Sequence, residues 1–203
     1  MAEIRVGIQN VPSEWGYLSG KTYSDPFNEI ELDVLFTSPS GEALRAPAYW
    51  AGEQQWRVRF AAKTVGRYKY ETICSDKKNS DLHGREGFLE VKAYEGQNIL
   101  FQHGPLKISR DKRHFEHTDG TPFFWLADTW WMGFCNWLGW PGDFQELTAD
   151  RKAKGFSVIQ IVVGLYPDMP AFDERGANEA GFPWEKDYNR INPVYFDMAD
   201  EYP

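Results

Sequence analysis

The chain has 203 residues, a net charge of -8 and nine Trp, with 42% hydrophobic and 26% charged residues. That length supports one or two cores, and the acidic balance offers no basic face for phosphate, which argues against a nucleic-acid partner. No apolar stretch reaches transmembrane length, and "MAEIRVGIQN" lacks the basic-then-apolar order of a signal peptide, so no membrane span is expected and the compartment stays open.

Residues 1 to about 93 alternate as half-buried antiparallel strands do. In "EIELDVLF", Ile30, Leu32, Val34 and Phe36 share one face while Glu29, Glu31 and Asp33 share the other. "QWRVRF" repeats this with Trp56, Val58 and Phe60 inward, and "GRYKYETI" and "GFLEVKA" read as further strands. Turn signals at "SPSGE", "WAGEQ" and "NSDLHGREG" separate them. Short strands with regular turns predict an antiparallel, Ig-like β-sandwich over residues 1–93.

Residues 94–105 read as a linker. Beyond it, Asp119-Gly120 joins two extended runs and is a strong hairpin signal. His114 and His117 lie three apart, on opposite sides of a strand, so no shared metal site is expected there or with His83 and His103. The acids of "DMPAFDERGANEAGFPWEKD" follow no calcium-loop spacing, and no cofactor is expected. Cys74 and Cys135 lie far apart with no CxxC, and read as small buried hydrophobes.

The pattern then changes. "FFWLADT" is a strand; Asp143 reads as the N-cap of a helix over "FQELTADRKAK", stopped by Gly155. "FSVIQIVVG" is a nearly continuous apolar run of the sort parallel strands show when covered on both faces. After a long loop, Asn192 and Pro193 read as N-cap and N1 of a second helix. The order is β-α-β-α.

Together the halves resemble a known pairing. The stretch from "YSDPFNEIELDVLF" to "GRYKYET" is similar to the β-sandwich of unknown function that precedes certain glycoside hydrolase barrels. "DGTPFFWLADTWW", "DRKAKGFSVIQIVV" and "INPVYFDMADEY" resemble the start of the apiosidase-like (β/α)8-barrel hydrolases. The resemblance implies a glycoside hydrolase acting on plant cell-wall or similar glycans, with residues 106–203 forming the first two βα units of a TIM barrel. Such barrels carry their catalytic carboxylates near the ends of later strands, typically the fourth and seventh. No catalytic residue is therefore assigned here, and these 203 residues alone are expected to be inactive.

Candidate substrate-binding residues follow from placement. Period two puts Phe124, Leu126 and Asp128 on one face of the first barrel strand, with Asp128 at the C-terminal end where barrel enzymes hold substrate. Asp128 either accepts hydrogen bonds from sugar hydroxyls on the cleft floor, or caps the next loop or pairs with a buried Arg. Gln160, sharing a face with Val158 and Val162, is expected inside the barrel as a structural hydrogen bonder or a ligand contact. Trp130, Trp131, Trp137 and Trp140 fall in the first loop and Trp184 in the second, where a flat indole can stack on a sugar. Glu185 and Asp187 flank Trp184. The expected partner is a carbohydrate substrate; the alternative is a non-catalytic carbohydrate-binding module built on the sandwich.

Overall fold

Ile30, Leu32, Val34 and Phe36 alternate with Glu31 and Asp33, so an extended chain turns one row of side chains inward. All four are buried, Val34 and Phe36 completely. The computed structural model describes residues 3–163, 166 and 168–201. These form two compact units, residues 1–123 and 124–203.

The first unit is mostly β-sheet. In chain order it contains β1 (Glu3–Ile8), β2 (Ser13–Leu18), a short α1 (Pro26–Glu29), β3 (Leu32–Thr37), β4 (Ala43–Trp50), β5 (Gln55–Phe60), β6 (Gly66–Cys74) and β7 (Glu86–Lys92). One continuous ladder joins them in the order β1-β7-β6-β3-β4-β5-β2. The strand β4 changes partner at Ala48, pairing with β3 over Ala43–Ala48 and with β5 over Ala48–Trp50. That handover bends the ladder around the core into a nearly closed, barrel-like sheet.

One strand departs from the antiparallel expectation: β1 runs parallel to β7, from Glu3 opposite Gly87 to Ile8 opposite Lys92. The cause lies in residues 9–12. Gln9 N–H donates to Lys92 O and Asn10 N–H to Ala62 O, each at 2.8 Å, so this turn bridges the two edges of the sheet instead of folding β2 back onto β1. Asn10 adopts a positive φ of 63° to do so. At this end the edges almost touch; a Cβ on Gly7 would lie 2.8 Å from Ser13 Oγ.

The enclosed core is aromatic. Phe36 stacks on Phe60 with centroids 3.9 Å apart and meets Trp15 edge-on at 5.9 Å. Trp56, Val58, Tyr68, Tyr70 and Leu89 complete it, each almost fully buried. Cys74 is a buried free thiol within this cluster, and Cys135 is a buried free thiol in the second unit.

The rest of the first unit holds α2 (Ile99–His103), within the stretch read as a linker, then β8 (Leu106–Ile108), β9 (Phe115–His117) and β10 (Pro122–Phe123). The expected hairpin joins β9 to β10: Gly120 has φ +92°, and the Asp119 carboxylate accepts the Thr121 N–H at 2.9 Å. His117 is buried and bonds the Gly104 carbonyl at 2.6 Å, while His103 meets Asp119 at 2.7 Å.

The second unit contains β11 (Ala127–Trp130), α3 (Gly142–Ala153), β12 (Val158–Ile161) and α4 (Pro193–Asp200). The two strands are parallel, as a βαβ connection requires. Gly155 follows α3 with φ +81°, and Asn192 caps α4 by accepting the Val194 N–H, with Pro193 at its first turn. Asp143 is not the N-cap of α3. Pro141 occupies that position, and Asp143 lies in the first turn, where its carboxylate favours the helix N-terminus and accepts the Gly139 N–H at 3.2 Å. The strand β12 is half-buried rather than covered on both faces, and Gln160 is exposed.

Phe36→Ala removes a fully buried ring from the centre of the first unit and should cost about 3–5 kcal/mol. Val6, 62% exposed on β1, provides the control; Val6→Ala should change stability by less than about 0.5 kcal/mol. Urea denaturation of both variants checks this, and equal losses would show that the core is not where these contacts put it.

Candidate functional site

Asp128 has all the partners an ionised carboxylate needs among the surrounding rings. Arg151 Nε of α3 donates to Asp128 Oδ2 at 2.5 Å, the Trp130 indole N–H donates to the same oxygen at 3.0 Å, and Thr129 N–H donates to Oδ1 at 2.9 Å. Arg151, then Trp130, hold the Asp128 carboxyl below the ordinary range. Arg151 also pairs with Asp150 and lies over the Phe156 ring at 5.5 Å. Trp130 is the last residue of β11 rather than part of the loop; it is buried and meets Phe144 of α3 edge-on at 5.4 Å. Asp128 and Trp130 therefore face the helix.

Of the two roles expected for Asp128, these contacts are those of the second, an ion pair with an Arg and a cap on the following backbone N–H. The register sets Asp128 opposite Ile159, Thr129 opposite Gln160 and Trp130 opposite Ile161. Residues opposite one another in a ladder share a face, so Gln160 lies with Thr129, on the side away from Asp128. Ala127, Thr129 and Gln160 on that side are exposed. Alternation along a single strand defines two faces without saying which one a helix covers. Arg151 decides it, and nothing in its local sequence marks it as a partner for Asp128.

Trp131 follows β11 and is 60% exposed, and Trp137 in the same loop is 66% exposed. In the long loop, Trp184 pairs through its backbone with Ile191 as an isolated antiparallel bridge. Glu185, the next residue, is exposed and ion-paired to Arg190 at 3.2 Å. Trp184 also lines a cavity of about 290 Å³, counting its open mouth, together with Tyr166, Phe172, Asp173, Phe182 and Pro183. Phe172 contacts Phe182 at 5.4 Å and Tyr188 at 5.0 Å, and Arg175 holds the Asp173 carboxyl down at about 2. Phe172 and Phe182 were not singled out from sequence, because isolated rings in an irregular loop carry no periodicity. Among the described residues, no cluster of three or more His, Cys, Asp or Glu side chains is arranged to hold a metal.

Residues 109–202 match the family model described as the apiosidase-like catalytic domain, and residues 12–75 match a domain of unknown function, DUF5060. A candidate glycoside hydrolase from Bacteroides vulgatus ATCC 8482, known from a crystal structure, is similar over 97% of this chain at 21% identity, with a TM-score of 0.71. At that identity the likeness concerns the fold. The chain spans 38% of that protein's length. The Lin-41 filamin domain (TM-score 0.31, 10% identity, 43% of this chain and 83% of its own) and a PapD-like domain of human CEP192 (0.23, 12%, 48% and 84%) are too distant to support an argument. No curated protein matches the chain.

The lowered pKa of Asp128 has a pH signature. A carboxyl depressed in the folded state adds stability in full above its unfolded value, near 4, and loses it as pH falls through the folded value. Asp128→Asn should therefore melt below the parent at pH 7, and the gap should narrow steadily below about pH 4. Thermal melts of both proteins from pH 7 to pH 3 test this; a gap that stays constant would remove the ion pair from the account.

Proposed function

We propose that this chain is the N-terminal part of a glycoside hydrolase cleaving O-glycosidic bonds in plant cell-wall or similar glycans. The catalytic pair of carboxylates comes from strands beyond the two described here. In this reading residues 1–93 form an Ig-like sandwich domain, 94–105 a linker, and residues from 106 onward the opening βα units of a (β/α)8 barrel. The match of residues 109–202 to the apiosidase-like catalytic domain supports the chemistry. The observation that carries the site is the register of the parallel pair, which sets the polar Thr129 and Gln160 side by side on the face α3 leaves uncovered.

A barrel interior is that uncovered face, and polar groups at the C-terminal ends of its strands meet the substrate. Thr129 and Gln160 supply hydroxyl and amide hydrogen bonds suited to sugar hydroxyls. Trp131, exposed directly after β11, supplies a flat apolar ring, and Trp184 with Glu185 acts from the long loop. Asp128 and Trp130 hold β11 against α3 and act on substrate only by positioning.

Hydrolysis of aryl glycosides and plant polysaccharides by the full-length gene product tests this reading. Trp131→Ala should lower kcat/KM roughly tenfold, equivalent to about 1.4 kcal/mol of lost stacking. Gln160→Ala should do likewise, through loss of an amide hydrogen bond to a sugar hydroxyl. A folded protein with no turnover on any glycoside would overturn the function; undiminished turnover in both variants would overturn the site.

A further inference from the structure

The strands β1 and β2 are the two unpaired edges of the first sheet, and between them opens a cavity of about 520 Å³, counting its mouth. Glu3, Arg5, Gly16, Tyr17, Leu18, Asp81 and Arg85 line it. A linked polar network lies beneath. The Tyr70 hydroxyl accepts from Arg5 Nε at 3.1 Å and donates to Glu3 at 3.2 Å, and the Arg5 guanidinium lies 4.9 Å over the Trp15 ring. Trp15 donates its indole N–H to the Tyr17 hydroxyl at 2.8 Å. This arrangement depends on Gly87, where a Cβ would come within 2.3 Å of the Tyr70 hydroxyl.

The hydrogen-bonding capacity left over is unbalanced. Both Glu3 oxygens are engaged, one by Arg5 and one by Tyr70, and one Asp81 oxygen accepts the Gly20 N–H. Among the described residues the Arg85 side chain makes no hydrogen bond or ion pair. Tyr17 accepts from Trp15 but has no acceptor for its own proton; burial pushes this phenol up to about 12, so it keeps that proton. Among the described residues, Arg85 and Asp81 are the two lining charges without an ion pair. Asp81 retains one free oxygen, against the several N–H donors of Arg85 and the Tyr17 hydroxyl, so donors outnumber acceptors, and the guanidinium fork has a geometry that matches a planar carboxylate.

We propose that this cavity in the N-terminal domain binds a carboxylate-bearing ligand, gripped by Arg85 with the Tyr17 hydroxyl and Arg5 beside it. The site lies wholly in the first unit and is independent of the hydrolase reading.

Amide NMR of the 203-residue chain, titrated with sodium glucuronate and with glucose at matched ionic strength, tests it. These probes share a ring and differ in the carboxylate. Glucuronate should give saturable shifts at Arg5, Gly16, Tyr17 and Arg85, with none from glucose over the same range. Arg85→Gln should weaken glucuronate binding roughly ten- to hundredfold, the value of a charge-assisted hydrogen bond. Arg85→Lys, which keeps the charge but loses the fork, should fall between. Arg85 is exposed, so neither variant threatens the fold. Equal shifts from both sugars, shifts that map elsewhere, or unchanged affinity in Arg85→Gln would each overturn the proposal. Tighter binding of inorganic phosphate would overturn the ligand class.

Discussion

The contact between Asp128 and Arg151 decides how the second unit is organised. It ties β11, at its second residue, to the last turn of α3, so one face of the two-strand sheet becomes the covered face. Trp130 and Phe144 then pack on that side, and Thr129 and Gln160 are left on the other. A pair this open to water contributes little stability by itself. Its importance is geometric, because a strand turned the other way would put the indole of Trp130 outside and the polar pair beneath the helix.

The first unit achieves order differently. Its core is built from rings on β2, β3, β5 and β6 that meet edge-on or stacked, and its polar residues are pushed to the rim. Several polar atoms that enter are answered: Asn79 donates to Ser19 and Tyr23, both at 2.8 Å, and His83 accepts the Cys74 N–H at 3.1 Å, whereas the buried Trp56 indole N–H has no partner among the described residues. The mouth between β1 and β2 is different in kind. There the network stops before every donor has an acceptor, in a unit of which residues 12–75 match a domain of unknown function.

Much of this was legible in the residues. Alternation around Val34 and Val58 located inward faces because a strand buried on one side repeats every two positions. Gly120, Gly155, Asn192 and Pro193 marked turns and helix ends through backbone chemistry that acts locally. What escaped was information held at a distance. Which side of β11 a helix covers depends on Arg151, and where β4 leaves β3 for β5 depends on how the whole sheet curls around Phe36 and Phe60. The parallel placement of β1 depends on a turn anchored at Ala62 and Lys92, neither of which is near it in sequence. Asp143 was misplaced by a smaller margin, because an acidic residue suits both the cap and the first turn.

The pairing of the first strand with the last has a consequence for synthesis. Ile4, Val6 and Ile8 can meet their ladder partners only after Phe88, Glu90 and Lys92 have been made, so on the ribosome β1 waits with no neighbour through the making of all the other strands. Loop closure over so long a segment is slow, and an apolar strand with open backbone groups is exposed to other nascent chains meanwhile. The last stretch of this sheet to emerge is thus the one that ends the wait, and a ribosome pausing before Lys92 would prolong the interval in which the chain is vulnerable.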